Sequence, residues 1–200
     1  MRLPVIVASG PSAASVPLEK ARGKARFIAI NDSWRLAPWA DALYAHDKQW
    51  WDVWSGVPSF NGLKISGQKT DPALCLKLAR INKYCNEILV EPDGTIGWGC
   101  NGGFHALNLA IQFGARRIVL VGYDCRIDRG INWHGGHKHG LPNKGILCVT
   151  IWRKVLDAQA PLLERLGVEV LNASPVSTLT AYPKVDFAQA VRGCQALAQQ

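Results

Sequence analysis

The sequence lacks the long apolar runs that membrane proteins and secreted precursors carry. The apolar run at residues 3–8 is too short for the core of a signal peptide, and no later stretch is long enough to span a bilayer. The six cysteines show no CxxC pair and no compact disulfide framework, which argues against a small secreted scaffold. We therefore expect a cytoplasmic protein whose cysteines are reduced and mostly buried.

Acidic residues are also scarce, so the chain carries a formal net charge of +8 and a pI near 9.4. This balance favours an anionic partner, such as a nucleotide, a sugar phosphate, an anionic glycan or nucleic acid. No extended run of Lys and Arg indicates a dedicated nucleic-acid surface. Eight tryptophans are present, and the cluster of Trp50, Trp51 and Trp54 suits either a thick core or a platform for stacking bases.

Short apolar stretches alternate with helical patterns along the chain. Strands are predicted at residues 4–8, 26–30, 42–45, 62–65, 88–90, 117–122 and 168–171, and helices near 72–78, at 101–114, at 152–166 and weakly from 188. This alternation predicts an α/β fold with an open, mostly parallel, Rossmann-like sheet and helices on both faces. We expect a single nucleotide-binding domain over residues 1–200, with a polar, glycine-rich lid at about 125–145.

Polar or glycine-rich loops follow most of the predicted strands, which is where ligands bind in such sheets. These loops are Ser9-Gly10-Pro11-Ser12, Asn31-Asp32-Ser33, His46-Asp47, Gly122-Tyr123-Asp124 and Asn172-Ala173-Ser174-Pro175-Val176-Ser177, and Asn101-Gly102-Gly103 opens the central helix. Small residues and exposed helix amides allow close approach of a phosphate. The first loop is neither a GxGxxG fingerprint nor a P-loop, however, and the Asn31 triplet could simply cap the next helix.

The lid carries three histidines in six residues, His134, His137 and His139. Such spacing suggests a zinc site, but no strong fourth ligand presents itself in the sequence. We favour a general base on a mobile lid, because imidazole titrates near neutral pH. Asp124 and Asp128 would either orient a sugar or hold Mg²⁺ beside phosphates.

The ordered set of loops resembles the superfamily that joins bacterial lipooligosaccharide sialyltransferases with archaeal 6-hydroxymethylpterin diphosphokinase-like proteins; short phage and prophage proteins look similar too. The resemblance covers about residues 3–183, with 56–98 matching poorly. In the sialyltransferase branch it implies a CMP-sugar donor, His137 as the general base and His134 in place of a tyrosine that contacts phosphate. The donor-binding positions that it implies are Gly10, Pro11, Ser12, Asn31, Asn101, Gly102, Gly103, Ser174 and Ser177, to which the first loop adds Ser9.

Three functional hypotheses follow. The leading one is an inverting glycosyltransferase that uses a CMP-sugar, transfers to a glycan or other anionic acceptor, needs no obligatory metal cofactor and has Asp124 beside its catalytic histidines. The second is an ATP- and Mg²⁺-dependent diphosphokinase-like enzyme with Asp124 and Asp128, and less strongly Asp47, as metal ligands. The third is a non-catalytic phage protein that binds a nucleotide or nucleic acid. Assembly into an oligomer is compatible with all three.

Overall fold

The computed structural model describes residues 3–74, 76–138 and 140–197, with side chains as far as residue 192. The predictions for Cys75 and His139, and for the side chain of Cys194, lie outside this part of the chain. The four cysteines that are described as free are Cys85, Cys100, Cys125 and Cys148. All four residues are partly exposed, but burial raises the pKa of the Cys125 thiol to about 12, so the expectation of mostly buried thiols is wrong for Cys85, Cys100 and Cys148 and not for Cys125. In the described part of the chain, no helix is both long enough and apolar enough to cross a bilayer.

A seven-stranded parallel sheet forms the centre of the fold. The described residues form nine strands, which are β1 (Pro4–Val7), β2 (Arg26–Ile30), β3 (Ala42–Ala45), β4 (Leu63–Ser66), β5 (Lys77–Leu78), β6 (Arg80–Asn82), β7 (Thr95–Gly97), β8 (Arg117–Val121) and β9 (Glu169–Asn172). All of them except β6 and β7 belong to this sheet. The order in the large sheet is β5-β4-β3-β2-β1-β8-β9, and β6 pairs with β7 in a separate parallel pair. Every pairing in the large sheet is parallel, which confirms the predicted open sheet.

Helices cover both faces of this sheet, as the sequence predicts. They are α1 (Lys48–Val53), α2 (Gly102–Gln112), α3 (Ile146–Asp157), α4 (Ala160–Arg165) and α5 (Phe187–Leu197), with 3-10 helices at Pro11–Ser15, Leu18–Ala21, Asn31–Arg35 and Pro72–Leu74. In β1, Val5 and Val7 pack into one core with Trp51 and Phe187, whereas Ile6 packs into the opposite core. A strand buried on both faces has to be apolar throughout, which explains the unbroken apolar runs of the central strands.

The region between β4 and α2 is where the sequence-based assignment fails. The expected helix at 72–78 is wrong: a single 3-10 turn at Pro72–Leu74 precedes the short strand β5. The expected strand at 88–90 is also wrong. Its backbone is held by side-chain amides instead of a neighbouring strand, because Leu89 N donates to Asn108 Oδ1 (3.0 Å) and Asn108 Nδ2 donates back to Leu89 O (2.6 Å).

The predicted helix at 152–166 starts earlier and is divided in two. It begins at Ile146 and is interrupted after Asp157, and α4 then starts with Pro161 in its first turn. Proline has no amide hydrogen to donate to the preceding turn, so a continuous helix is disfavoured at this point. The carboxylate of Asp157, the last residue of α3, accepts hydrogen bonds from the backbone amides of Thr180 and Ala181.

The strand order places β1 at the point where the sheet changes its winding direction. The chain runs outward from β1 through β2, β3 and β4 on one side, and returns through β8 and β9 on the other. In open α/β sheets this switch point leaves a crevice at the carboxyl ends of the central strands. Residues 8–10, which follow β1, and residues 122–126, which follow β8, therefore face a common space.

Candidate functional site

A cavity of about 330 Å³ lies in this crevice. This volume falls at the lower end of the range for small-molecule sites, about 300–1,000 Å³. Of the residues proposed from the sequence, those that line the cavity are Ser9, Gly10, Asn31, His46, Asp47, Asn101, Gly102, Gly103, Gly122, Tyr123, Asp124 and His137. Sequence-distant loops thus converge on one rim of the sheet. Pro11, Ser12, Asp128, His134, Ser174 and Ser177 are not among the described residues that line it.

The turn after β1 approaches the β8 loop so closely that only glycine fits at its centre. Gly10 N donates to Gly122 O (2.9 Å). A Cβ on Gly10 would lie 2.4 Å from Gly122 O and 2.7 Å from the Asp124 carboxyl carbon. The glycine therefore brings these two walls of the cavity together.

The amino terminus of α2 forms a second wall. The side chain of Asn101 caps this helix by accepting a hydrogen bond from Phe104 N (2.8 Å), and His105 N makes the first intrahelical bond, to Asn101 O. The amides of Gly102 and Gly103 precede that bond and belong to residues of the cavity wall. Such amides, together with the positive end of the helix dipole, favour an anion.

Asp124 has a structural partner as well as a place in the cavity wall. Its buried carboxylate accepts a hydrogen bond from Ser12 N (2.8 Å) and a second from Ser12 Oγ. Both donors of Ser12 are thereby used within the protein. The geometry assigns this pair to holding the β1 turn against the β8 loop.

Ser174 and Ser177 are buried behind the cavity wall. Tyr123 N donates to Ser174 Oγ (2.9 Å), and Ser177 Oγ donates to Tyr123 O (2.6 Å). The two hydroxyls thus fix the backbone of Tyr123, a residue of the cavity wall. Their effect on any ligand would pass through this residue.

Asp128, the second carboxylate of the Mg²⁺ hypothesis, faces solvent. It forms an ion pair with Arg126, which lowers its pKa to about 2 mainly through the side-chain hydrogen bond from that guanidinium. Arg126 itself lines the cavity and also reaches Val176 O (3.3 Å). Asp128 therefore acts on the site as the partner of a cavity arginine.

The lid is fastened to the rest of the site by Trp133. Its backbone amide donates to Ser9 O (2.9 Å), and its indole Nε1 donates to Ser33 Oγ (3.3 Å). The guanidinium of Arg35 lies over the indole ring, 5.3 Å from its centroid. These contacts hold this part of the predicted lid against the turns that follow β1 and β2.

The lid histidines meet a buried carboxylate that sequence reasoning did not connect with them. Asp32 Oδ2 lies 3.2 Å from His134 Nε2 and 3.5 Å from His137 Nδ1. Burial lowers the pKa of His134, and the charge of Asp32 opposes that shift. Of the two rings, His137 lines the cavity. The polar triplet after β2 therefore does more than cap a helix. Asn31 lines the cavity, and Asp32 contacts the two lid histidines.

A second buried network, centred on His105, forms another part of the cavity wall. His105 Nε2 lies 2.5 Å from Trp98 O, and His105 Nδ1 lies 2.8 Å from Tyr44 Oη. Burial, followed by the charge of His46, lowers the pKa of His105 to about 3. This imidazole is accordingly neutral across the physiological range and unsuited to act as a base.

Several cavity residues were missed from the sequence, among them Lys144, Trp98, His105 and Trp152. Lys144 lies at the end of the predicted lid, and a basic residue on such a lid is a candidate phosphate contact. His105 and Trp98 carry no comparable signal, because a histidine inside an apolar helix usually indicates a structural role. Trp50 lines the cavity as well, but Trp50 and Trp51 are buried and belong to the core.

The fold matches solved structures of a sialyltransferase. No protein-family model matches the chain, and no curated protein is significantly similar to it in sequence. The sialyltransferase CstII from Campylobacter jejuni, in complex with the substrate analogue CMP-3FNeuAc, is similar with a TM-score of 0.54 at 12% identity, over 92% of this chain and 86% of that one. Its complex with cytidine-5'-monophosphate gives a TM-score of 0.53 at 11% identity, over 94% and 86%. The chain therefore has a sialyltransferase-like α/β fold.

Proposed function

We propose that this protein is an inverting glycosyltransferase that uses a nucleotide-activated sugar, most simply a CMP-sugar. The observation that carries the proposal is the convergence of the β1 turn, Asn31, the first turn of α2 and His137 on one cavity. The cavity occupies the ligand-binding edge of a fold shared with a sialyltransferase whose structures contain CMP and a CMP-sugar analogue.

The phosphate of the donor would lie against the amino terminus of α2. The amides of Gly102 and Gly103 offer hydrogen bonds to its oxygens, and Lys144 and Arg126 on the cavity wall contribute positive charge. These groups stabilise the CMP that departs with the electron pair of the broken bond between the anomeric carbon and the phosphate oxygen. Asn31, held at the rim with a φ of 48°, is available to the nucleoside.

His137 would act as the general base. Its Nδ1 faces Asp32, so Nε2 remains to take the proton of an acceptor hydroxyl while that oxygen attacks the anomeric carbon. A carboxylate beside Nδ1 keeps the proton on that nitrogen and stabilises the imidazolium that forms. His105, which also lines the cavity, is disfavoured as the base because its burial opposes protonation.

The Mg²⁺-dependent alternative receives less support from the geometry. Asp124 is committed to Ser12, and Asp128 is paired with Arg126 away from the cavity. A pair of carboxylates converging on one ion is therefore not formed by these two residues.

The test has two readouts on His137→Ala, with Lys138→Ala on the exposed neighbouring position as the matched control. CMP should raise the melting temperature of the wild type and of both variants, because a ligand that binds the folded state stabilises it. Release of CMP from CMP-sialic acid with a glycan acceptor should fall by about 10²–10⁴-fold in His137→Ala only. Full activity in that variant would refute the base, and the absence of a CMP response in the wild type would refute the donor.

A further inference from the structure

The cluster of Asp32, His134 and His137 has features that a general base alone does not require. Asp32 comes from the 3-10 helix after β2, whereas both histidines come from the lid. Their ligating atoms lie within 4.8 Å of one another. The side chains of Asp32 and His134 are only 5% and 9% exposed.

Two buried polar atoms of this cluster have no hydrogen-bond partner in the described part of the chain. They are Asp32 Oδ1 and His134 Nε2. Leaving such atoms unsatisfied is costly, and native proteins rarely do so without a ligand, a water or an ion at the site. His134 Nε2 lies 3.2 Å from Asp32 Oδ2 without making a hydrogen bond. When this ring carries its proton on Nδ1, the Nε2 lone pair is available to the same ion as the carboxylate oxygen.

Two of the three separations between the ligating atoms agree with tetrahedral coordination, and the third is at most 4.8 Å. Bonds of about 2.0–2.1 Å from zinc to nitrogen or oxygen place neighbouring ligand atoms about 3.4 Å apart. The two observed separations from Asp32 Oδ2, 3.2 Å to His134 Nε2 and 3.5 Å to His137 Nδ1, lie on either side of that value.

The ligand types narrow the choice of metal. Two imidazoles and one carboxylate suit Zn²⁺ and its first-row neighbours, whereas Mg²⁺ prefers an all-oxygen shell. Three protein ligands with a fourth position open are also typical of zinc ions that bind water or substrate. The open position here would be on the cavity side, since His137 lines the cavity.

The surrounding contacts hold the ligands in place. Trp133, next to His134, is fixed by its bonds to Ser9 O and Ser33 Oγ, and its ring packs edge-on against the His134 imidazole, with 5.2 Å between centroids. Support of this kind orients metal ligands before the metal arrives. Arg35, stacked on the same indole, is a nearby positive charge that disfavours a cation.

We infer that Asp32, His134 and His137 form a binding site for one late first-row divalent metal ion, Zn²⁺ by preference, with an open coordination position toward the cavity. The site closes the lid onto the β2 turn, because its ligands come from both. This inference rests on the side-chain geometry and not on the proposed transfer reaction.

The test measures metal binding directly on the full chain. Chelator-treated protein is titrated with Co²⁺ and with Zn²⁺, followed by visible absorption, by metal content after dialysis and by melting temperature. We expect one ion per chain, a tetrahedral Co²⁺ spectrum without sulfur-to-metal charge transfer, and a higher melting temperature with Zn²⁺. Asp32→Asn and His134→Gln should each weaken binding at least tenfold, whereas His46→Gln, a cavity histidine outside the cluster, should bind as the wild type does.

Thiolate charge-transfer bands would overturn the inference, since cysteines would then hold the metal. Binding unchanged in both cluster variants would overturn it too, because the ion would then lie outside the cluster. Absence of stoichiometric binding in the wild type would overturn it as well. Should a cluster variant fail to fold, the Co²⁺ spectrum of the wild type alone decides between nitrogen–oxygen and sulfur ligation. None of these readouts depends on whether the protein transfers a sugar.

Discussion

His105 makes the stability of this protein depend on pH in a calculable way. A ring nitrogen 2.5 Å from a carbonyl oxygen must carry the proton, so Nε2 donates to Trp98 O and Nδ1 accepts from the hydroxyl of Tyr44. The neutral ring is thus fully hydrogen-bonded. Protonation would turn Nδ1 into a donor facing another donor and would place a charge on a side chain that is 1% exposed.

The size of the effect follows from the shift in pKa. Burial, reinforced by His46 and opposed by the bond to Trp98, lowers the pKa of His105 from 6.5 to about 3. Because the folded-state pKa is the lower one, the unfolded chain takes up the proton first as the pH falls. The stabilising contribution is complete above the unfolded pKa and is lost through the window from about 6.5 to about 3, with a slope approaching roughly 1.4 kcal/mol per pH unit. Over the whole window this amounts to roughly 5 kcal/mol, which is comparable to the total stability of many domains.

The assay is denaturant unfolding of the wild type and of His105→Gln at several values between about pH 7 and pH 4. The variant should be less stable at neutral pH, by roughly 1–3 kcal/mol, because it loses the Tyr44 contact. Its stability should then fall more slowly on acidification, since its other titrating groups are those of the wild type. Parallel pH profiles for the two proteins would show that the ring is not held neutral and would refute this account of the His105 network.

Two further substitutions test how the walls of the cavity are joined. Gly10→Ala should destabilise the protein by roughly 1–3 kcal/mol in denaturant unfolding, because the new Cβ would lie 2.4 Å from the backbone oxygen of Gly122. The control is Gly136→Ala, whose Cβ would lie 3.5 Å from its nearest neighbour. Equal effects of the two substitutions would contradict the close approach at Gly10. Asp124→Asn should also lower the free energy of unfolding by roughly 1–3 kcal/mol, with or without Mg²⁺, because an NH₂ group replaces one of the two carboxylate oxygens that accept bonds from Ser12. The control is the exposed variant Asp128→Asn, which should change the free energy of unfolding by less than about 0.5 kcal/mol. An Asp124 variant as stable as the wild type would contradict the structural role.

The sheet and its ligand-binding edge could be predicted from the sequence, because strands buried on both faces leave unbroken apolar runs. Pro4–Val7 and Arg117–Val121 are of this kind, and the polar loops after them lie on the expected rim. The segment 83–94, between β6 and β7, gave a misleading signal, because its apolar residues 88–90 were predicted as a strand. The backbone there is held by Asn108 and by Gln159, whose side chain accepts a bond from Ile88 N (3.1 Å), and single side-chain amides leave no periodic pattern to detect.

The site itself was predictable only as far as which loops take part. Polar residues of the same types serve ligands and internal bonds alike, so composition could not show that Ser12 is bonded to Asp124, 112 positions later. Asp32 was ambiguous for the same reason, since its partners lie about a hundred residues downstream on the lid. Pairings of this kind are decided by the folded chain and not by local spacing.

His137 connects the two proposals through the chemistry of one imidazole. With Asp32 beside Nδ1 and no metal bound, the proton belongs on Nδ1, and Nε2 is a base directed away from the carboxylate. A zinc ion on Nδ1 instead forces the proton onto Nε2, which then has no lone pair for an acceptor hydroxyl. The metal-loaded protein and the transfer-competent protein are therefore different states of the same lid, and zinc should inhibit transfer in proportion to occupancy of the cluster. The CMP-release assay consequently belongs in chelator-treated protein, where loss of activity in His137→Ala reports on the base alone.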